Sequence, residues 1–360
     1  MGVVIPVWNR RENLALLLAS LERQTTAAFT VVVADDGSTD GTRDMVKALA
    51  DTDVWSERLR LINCGPDQGV RTGRARNIGT ANLPEDATLV VLLDSDLVVQ
   101  PDALGRLAEL HHRHPDAAIA GPVEWLPPLR RQIVLDAIVR NDLGNLRRRV
   151  PRATPRREEG TFVGPELRTG MFSGVVGEPV PLRSEWALSL NFAWPVDLYW
   201  RIGGFDEAMV GYGYEDNEFG ARAAAHGVRC LARDELWALH VWHPKPPTAM
   251  AENQRNLDYY LRKHGPNDVI ETDIDWRLWF HYHADRGGVA VHADDRLWAL
   301  SADGHHRLAL ADRSWLRRLG HDSDPARLAS AERGTLARAT SHGVASEVPD
   351  KPQPLQKNRL

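Results

Sequence analysis

The sequence predicts an α/β fold: a mostly parallel central sheet flanked by helices, with a small β-rich appendage and a polar tail at the carboxyl end. Three observations carry this. Short apolar runs alternate with helical stripes over the first half of the chain. The run Leu89 to Leu93 (L-V-V-L-L) is unbroken, the mark of a strand buried on both faces. Acidic clusters, Asp35-Asp36 and Asp94-Ser95-Asp96, follow two of these runs directly. In sheets of this kind ligands bind outside the carboxyl ends of the strands.

Taken in order, Gly2 to Val7 (G-V-V-I-P-V) is the first strand, ended by Pro6, and Trp8-Asn9-Arg10 is a loop. Arg11 to Gln24 carries Leu14, Leu17, Leu18 and Leu21, a helical stripe. Phe29 to Ala34 is the second strand, and Thr42 to Ala50 a helix capped by Asp40 or Thr42. Leu59 to Asn63 is the third strand, followed by a glycine-bearing loop and a helix from Gly73 to Ala81. The central strand comes next, then a helix from Pro101 to His114 and a strand from Ile119 to Val123. Residues 124–186 are rich in proline, arginine and glycine. They read as long loops around one helix near Arg131 to Leu146, and loops of that length serve as lids or substrate sites. Leu188 to Ala193 is a strand, and Ile202-Gly203-Gly204-Phe205-Asp206-Glu207 a turn. A helix opens at Glu215-Asp216 and ends at His226-Gly227, with glycine past the end. Val228 to Ala232 and Trp237 to His243 are strands, and Asn253 to His264 is helical. Val289 to Leu310 alternates as an antiparallel hairpin unit, with turns at Ala293-Asp294-Asp295 and Ala302-Asp303-Gly304. From Asp322 onward the polar composition predicts disorder.

At 360 residues and 43% hydrophobic, the chain can bury a large core. Its net charge of −5 gives no electrostatic reason to expect a nucleic-acid partner. The two cysteines, Cys64 and Cys230, form no metal knuckle or disulfide framework, which fits a reducing compartment. No apolar run reaches the length of a membrane span, and the chain begins without a secretory leader pattern. These features predict a soluble cytoplasmic protein, with peripheral membrane contact left open.

Alternate residues of a strand share a face, so Asp94 and Asp96 are expected on one side. Neighbouring carboxylates repel unless a positive charge lies between them. A divalent cation that also holds diphosphate oxygens meets that need. The plain alternative is a polar strand end before the next helix. Asp35-Asp36 reads either as a turn and helix cap or as an acceptor for a pyrimidine N3–H from Asp36. Arg71, Arg74 and Arg76 stand where an arginine suits a phosphate or a base edge. Glu215 and Asp216 begin a helix, which the helix dipole alone favours. His240 and His243 lie three apart, so on one strand they face opposite sides, and one of them is a candidate metal ligand.

Four segments together form a pattern: V-V-I-P-V-W-N-R (3–10), V-V-V-A-D-D-G-S-T-D-G-T (31–42), L-L-D-S-D (92–96) and G-G-F-D-E…G-Y-G-Y-E-D-N-E-F-G-A-R (203–222). From Val3 to Lys263 the chain resembles a family-2 glycosyltransferase with the GT-A fold. The last segment is similar to the subgroup of chondroitin polymerases and N-acetylgalactosaminyltransferases. The resemblance implies a nucleotide-sugar half over residues 1–123 and an acceptor-binding, catalytic half over residues 124–272. Residues 273–321 and 322–360 are the appendage and tail beyond it. It further implies that the UDP-sugar is bound by Pro6, Asn9, Asp36, Arg74, Asn77, Asp94, Ser95 and Asp96. Asp96 holds Mn²⁺ or Mg²⁺ with a histidine, which matches His243 better than His240. Asp216 is the general base on an acceptor glycan, peptide or small molecule, with Glu215 orienting that acceptor. The subgroup's usual W-G-G-E-D is here Gly211-Tyr212-Gly213-Tyr214 before the acid pair, a turn suited to moving a sugar against aromatic rings. The implied reaction is metal-dependent sugar transfer with inversion. The rival readings are a nucleotidyltransferase and a catalytically inactive nucleotide-sugar-binding module. The first lacks its glycine-rich basic loop after the first strand, and the second does not explain Asp94, Asp96, Asp216 and His243 together.

Overall fold

The computed structural model describes residues 1–149, 156–158, 161–165, 179–186, 190–244, 248–265, 289–293, 296–300 and 307–312. Two compact units result, Met1–Pro151 with Glu158–Pro266, and Arg152–Arg157 with Asn267–Leu360.

In the first unit, β1 (Gly2–Val7), α1 (Arg11–Glu22), β2 (Thr30–Asp35), α2 (Thr42–Ala50), β3 (Leu59–Asn63), α3 (Thr72–Ala81) and β4 (Leu89–Leu93) follow the expected alternation. Then come β5 (Leu97–Val99), α4 (Ala103–Arg113), β6 (Ala117–Ala120), β7 (Val123–Trp125), α5 (Arg131–Val139) and α6 (Leu143–Arg147). β8 (Arg156–Glu158) crosses the sequence boundary between the units, and the short strands β9 (Thr161–Pro165) and β10 (Val180–Leu182) precede β11 (Asn191–Pro195) and α7 (Val196–Arg201). Last are α8 (Glu215–Ala225), β12 (Arg229–Ala232), β13 (Ala238–His240) and α9 (Ala249–His264).

The main sheet has the order β10-β12-β6-β11-β4-β1-β2-β3. From β4 through β3 every pairing is parallel, while β11 runs antiparallel to both β4 and β6. All five residues of β4 are buried, because β11 and β1 flank it and both faces are covered. The β1–β4 pairing stops at Val4, while β1–β2 pairing continues through Val7. Pro6, which has no N–H, thus sits in the stretch paired on one side only. α3 lies close on this sheet, since a Cβ at Gly79 would come within 2.4 Å of Val4 Cγ1.

A second sheet takes the order β5-β13-β7-β9. β13 runs antiparallel to β5 with His240 opposite Leu97, one residue past Asp96. This pairing brings a late strand beside the carboxylates that close β4.

The structure corrects several expectations. Asp94 and Asp96 are not on a strand, because β4 ends at Leu93 and the Asp94 carbonyl accepts from Leu97 N at 3.2 Å in a tight turn. The strand expected over Ile119 to Val123 is two strands in different sheets, divided at Gly121-Pro122. There the Gly121 amide donates to Asn191 O at 3.1 Å, and a Cβ at Gly121 would meet Leu236 O at 2.2 Å. The helix expected from Arg131 to Leu146 is α5 and α6, split where Asn141 takes a left-handed φ of 55°. The strand expected over Trp237 to His243 ends at His240, after which Val241 N donates to Asp96 O at 2.7 Å. The short elements β5 and α7 were not expected.

In the second unit, β14 (Val289–Ala293), β15 (Arg296–Leu300) and β16 (Arg307–Asp312) form an antiparallel three-stranded sheet with a register irregularity at Leu297/Trp298. The turn residues expected at 294–295 and 302–304, and the tail from Asp322, lie outside the described residues.

Candidate active site

The loops after β1 and β2 lock together. Asn9, in a left-handed conformation with φ 52°, donates its amide to Ser38 Oγ at 2.9 Å and accepts from Thr39 N at 2.8 Å through Oδ1. Asp35 is fully buried and accepts from Gly37 N, Ser38 N and Arg43 Nε (2.7 Å) on Oδ1. It is therefore the turn-former of the pair. Asp36 accepts from the Arg71 amide at 2.9 Å and from its guanidinium at 2.5 Å. Burial raises the Asp36 carboxyl above its ordinary pKa despite Arg71. Arg74 reaches the Cys64 carbonyl at 2.6 Å and stands 3.9 Å from Asp36, with a third of its side chain exposed.

The second centre is Asp96 with both histidines. Asp96 Oδ2 lies 2.8 Å from His243 Nε2, and Oδ1 lies 3.4 Å from His240 Nε2. Because β13 stops at His240, strand alternation does not separate the two rings, whose centroids are 5.3 Å apart. Burial would raise the Asp96 carboxyl, but the charge of His240, the hydrogen bond from His243 and the charge of Arg10 hold it well below the usual carboxylate range. Trp125 stacks on His240 at 5.0 Å between centroids. His243 Nδ1 lies 3.0 Å from the Pro244 carbonyl and 3.2 Å from Arg10 Nη2. With the proton on Nε2, His243 donates to Asp96 Oδ2 and its Nδ1 accepts from Arg10; a cation bound here would take the place of that proton.

The set fits a transition-metal cation. One donor atom from each of Asp96, His240 and His243 lies within 4.8 Å of the others, and Asp96 Oδ1 is buried without a hydrogen-bond partner. Two imidazoles and a carboxylate suit a divalent transition-metal cation. Ser95, also buried, lies between the two aspartates of the turn.

The third centre is Arg76. Its side chain is 1% exposed and faces three carboxylates: Asp94 at 2.7 Å, Asp216 at 2.8 Å and Glu215 at 3.4 Å. Burial would lower the pKa of Arg76, but these acids raise it above its ordinary value and keep it a cation. The acids share one cation, so burial, with Asp96 and Asp216 nearby, pushes Asp94 up to about 7 against Arg76. Burial and Asp216 likewise push Glu215 up to about 7. Asp94 and Asp96, expected on one face, thus serve different neighbours.

Around this centre the chain is pinned. Tyr214, at φ 67°, turns the backbone into α8 and is buried rather than presented to a sugar. α9 holds the preceding turn, with Tyr212 N donating to Glu252 at 3.0 Å and Asn256 Nδ2 to the Gly213 carbonyl at 2.9 Å. Asn77 points to the G-G-F-D-E turn. It donates to the Phe205 carbonyl (3.0 Å) and Glu207 (2.9 Å), and it accepts from Phe205 N (2.8 Å) and Tyr199 Oη (2.7 Å). A Cβ at Gly204, whose φ is +65°, would meet Asn77 Oδ1 at 2.6 Å. Glu218, fully buried, accepts from Arg222 (2.7 Å), Lys263 (2.7 Å) and His264 (3.1 Å), tying α8 to α9.

With this geometry in view, residues 2–155 match the family Glycosyl transferase family 2, and residues 179–239 match the N-terminal domain of galactosyltransferase. The chain resembles the first of these families over residues 2–155, less than half of its length. It is 32% identical over 271 residues to validoxylamine A glucosyltransferase of Streptomyces hygroscopicus subsp. jinggangensis (strain 5008), covering 73% of this chain. The chain spans 61% of that relative's length. It is 27% identical over 267 residues to chondroitin synthase of Escherichia coli, covering 71% of this chain and 36% of that one. Among solved structures, GalNAc-T7 with UDP, GalNAc and Mn²⁺ superposes with a TM-score of 0.52 at 14% identity, over 72% of this chain and 47% of that chain. That likeness establishes the GT-A-like fold.

Three features escaped the sequence reading. Arg71, not Arg74, is the close partner of Asp36. Both histidines face Asp96. Arg76 is the buried cation of the site, and a signal for it exists: Gly73, Arg76, Asn77 and Thr80 form an i, i+3, i+4, i+7 stripe, and all four are buried.

Proposed function

We propose that this chain is a glycosyltransferase that moves a hexosyl or N-acetylhexosaminyl group from a UDP-sugar to an acceptor hydroxyl, with inversion by single displacement. The observation that supports it best is the convergence of the metal-competent set Asp96–His240–His243 and the acid pair Glu215-Asp216 on the two sides of Asp94 and Arg76. Family relatives named as a glucosyltransferase and a chondroitin synthase agree with this chemistry, as does a fold neighbour holding UDP and Mn²⁺.

In this reading the loops around Pro6, Asn9 and Asp36 bind the nucleotide, and Arg71 fixes the orientation of Asp36. Arg74, a third exposed, is available to a phosphate. Asp94 and Ser95 line the donor, while Asn77 acts at one remove by shaping the turn through Phe205. Asp96, His240 and His243 would hold Mn²⁺, or Mg²⁺, which when bound supplies Lewis-acid stabilisation of the departing diphosphate. Asp216, anchored through Oδ1 to Arg76, takes the proton of the acceptor hydroxyl. Glu215, whose carboxyl titrates near neutrality, orients the acceptor. The turn at Gly211 to Tyr214, held by α9, shapes the acceptor side, and the acceptor is a glycan, peptide or small molecule.

Among the described residues no helix is long and apolar enough to cross a membrane. Both cysteines are buried free thiols, which supports a reducing, cytoplasmic setting. The test is UDP release from a panel of UDP-sugars, UDP-glucose first, with Mn²⁺ present and then chelated. Absence of release from every donor would refute the reading.

A further inference from the structure

We propose that Arg76 is a positioning residue for the transfer: its planar guanidinium, gripping Asp94 through Nη2 and Asp216 through Nη1, holds the donor-side and acceptor-side carboxylates in one register. The proposal rests on the function proposed above, because it assigns Asp216 to the acceptor and Asp94 to the donor.

Arg76 comes from α3, Asp94 from the turn after β4 and Asp216 from the first turn of α8. Sequence separations of 18 and 140 residues are bridged by one side chain. The two bonds, 2.7 and 2.8 Å, use different nitrogens of a rigid fork, so the spacing of the carboxylates is set by the guanidinium itself. The fork has a firm backing. Its Cζ lies 5.0 Å from the centroid of Phe205, and Phe205 stacks on Phe219 at 4.5 Å with an 11° interplanar angle. Its helix has no room to slide, because a Cβ at Gly79 would meet Val4 at 2.4 Å and one at Gly73 would meet Phe205 at 3.0 Å. A cation needed only for charge balance would not require this. An ammonium would neutralise the acids equally, but it is a point charge on a flexible stem and fixes no spacing. Charge and geometry are therefore separable by one substitution.

The experiment compares the wild-type full chain with Arg76→Lys. It measures UDP release from UDP-glucose and UDP-N-acetylglucosamine with water as acceptor and Mn²⁺ present, UDP affinity by calorimetry, and thermal unfolding. The positioning role expects Arg76→Lys to unfold cooperatively, to bind UDP within about threefold of wild type, and to lose about 10²-fold in kcat, the cost of a misplacement near 1 Å. Wild-type kcat in Arg76→Lys overturns the proposal, since charge alone then suffices. An equal loss in UDP affinity and kcat/KM with kcat kept also overturns it, since the residue then acts in uniform binding. If Arg76→Lys does not fold, Phe205→Leu removes the backing of the fork and leaves all four charged groups in place. A fall of about 3- to 10-fold in kcat with UDP affinity kept supports the role, and an unchanged kcat overturns it. A wild-type protein that releases no UDP from these two donors or any other UDP-sugar of the panel overturns the proposed function and the role of Arg76 with it.

Discussion

Asp216→Asn separates the base from its surroundings. Asp216 Oδ1 accepts from Arg76 Nη1 at 2.8 Å, and an amide oxygen can keep that bond. Asp94 at 2.7 Å and Glu215 at 3.4 Å still face the guanidinium, so no buried cation is left unpaired. Weakening one charged hydrogen bond without orphaning its donor costs about 1–2 kcal/mol of stability. Loss of a general base costs on the order of 10²–10⁴-fold in kcat, or about 3–5 kcal/mol in the barrier. The kinetic cost therefore exceeds the folding cost. Asp36 is held by Arg71, and Asp96 faces His240 and His243, so UDP affinity is expected to stay at its wild-type value. The assay is steady-state UDP release with calorimetric UDP titration and a melting curve on the same preparation. If Glu215 and Asp216 served only the dipole of α8, each would contribute about 0.3–1 kcal/mol to stability and nothing to turnover. Wild-type turnover in Asp216→Asn would refute its role as base.

Chelation is expected to abolish UDP release and Mn²⁺ to restore it, and full release after thorough chelation would overturn the metal assignment. His240→Ala and His243→Ala each weaken Mn²⁺ binding in calorimetry, whereas ligation by one histidine alone would leave one variant unaffected. Asp36→Asn weakens UDP binding while Mn²⁺ binding stays at the wild-type value, which titration of each ligand checks. Glu218→Gln lowers stability by about 3 kcal/mol, the lower end for a broken buried pair, because Lys263 and Arg222 are partly solvated. The pH dependence follows the same cluster. Burial would raise the Glu218 carboxyl, but Arg222, Lys263 and His264 hold it below its ordinary value. Its stabilisation is thus present above the unfolded pKa of about 4.3 and lost as the pH falls through the depressed folded value. Melting curves across that window in wild type and Glu218→Gln, converging at the acid end, test it.

β1, β2 and β4 were legible because each carries a continuous apolar run, and burial on both faces of a sheet demands such runs. Elements set by tertiary pairing were less legible. β5 has three residues and becomes a strand only because β13 arrives beside it. The position of His243 depended on where β13 stops, which no periodicity within the segment marks. The carboxylates at 94–96 were found, but their division between Arg76 and the histidines was not, since it follows from a turn rather than a strand. Choosing among Arg71, Arg74 and Arg76 required knowing which face α3 turns to the sheet. The small residues Gly73, Gly79 and Thr80 encode that face.

The pairing of β13 with β5 has a consequence for how the site comes into being. Arg10 and His243 meet across 233 positions of sequence, and Asp96 acquires its imidazoles only when a strand from the far end of the first unit zips onto Leu97–Val99. Contacts of such separation close late, because the entropy of a long loop is lost before the contact stabilises anything. A chain still emerging from the ribosome, with β1 to β4 already folded, would hold its aspartates without a complete cation site. Cation affinity at this site would therefore report completion of that long-range closure. A cation that binds only the closed form raises the melting temperature by mass action, coupling the readiness of the site to the integrity of the whole unit.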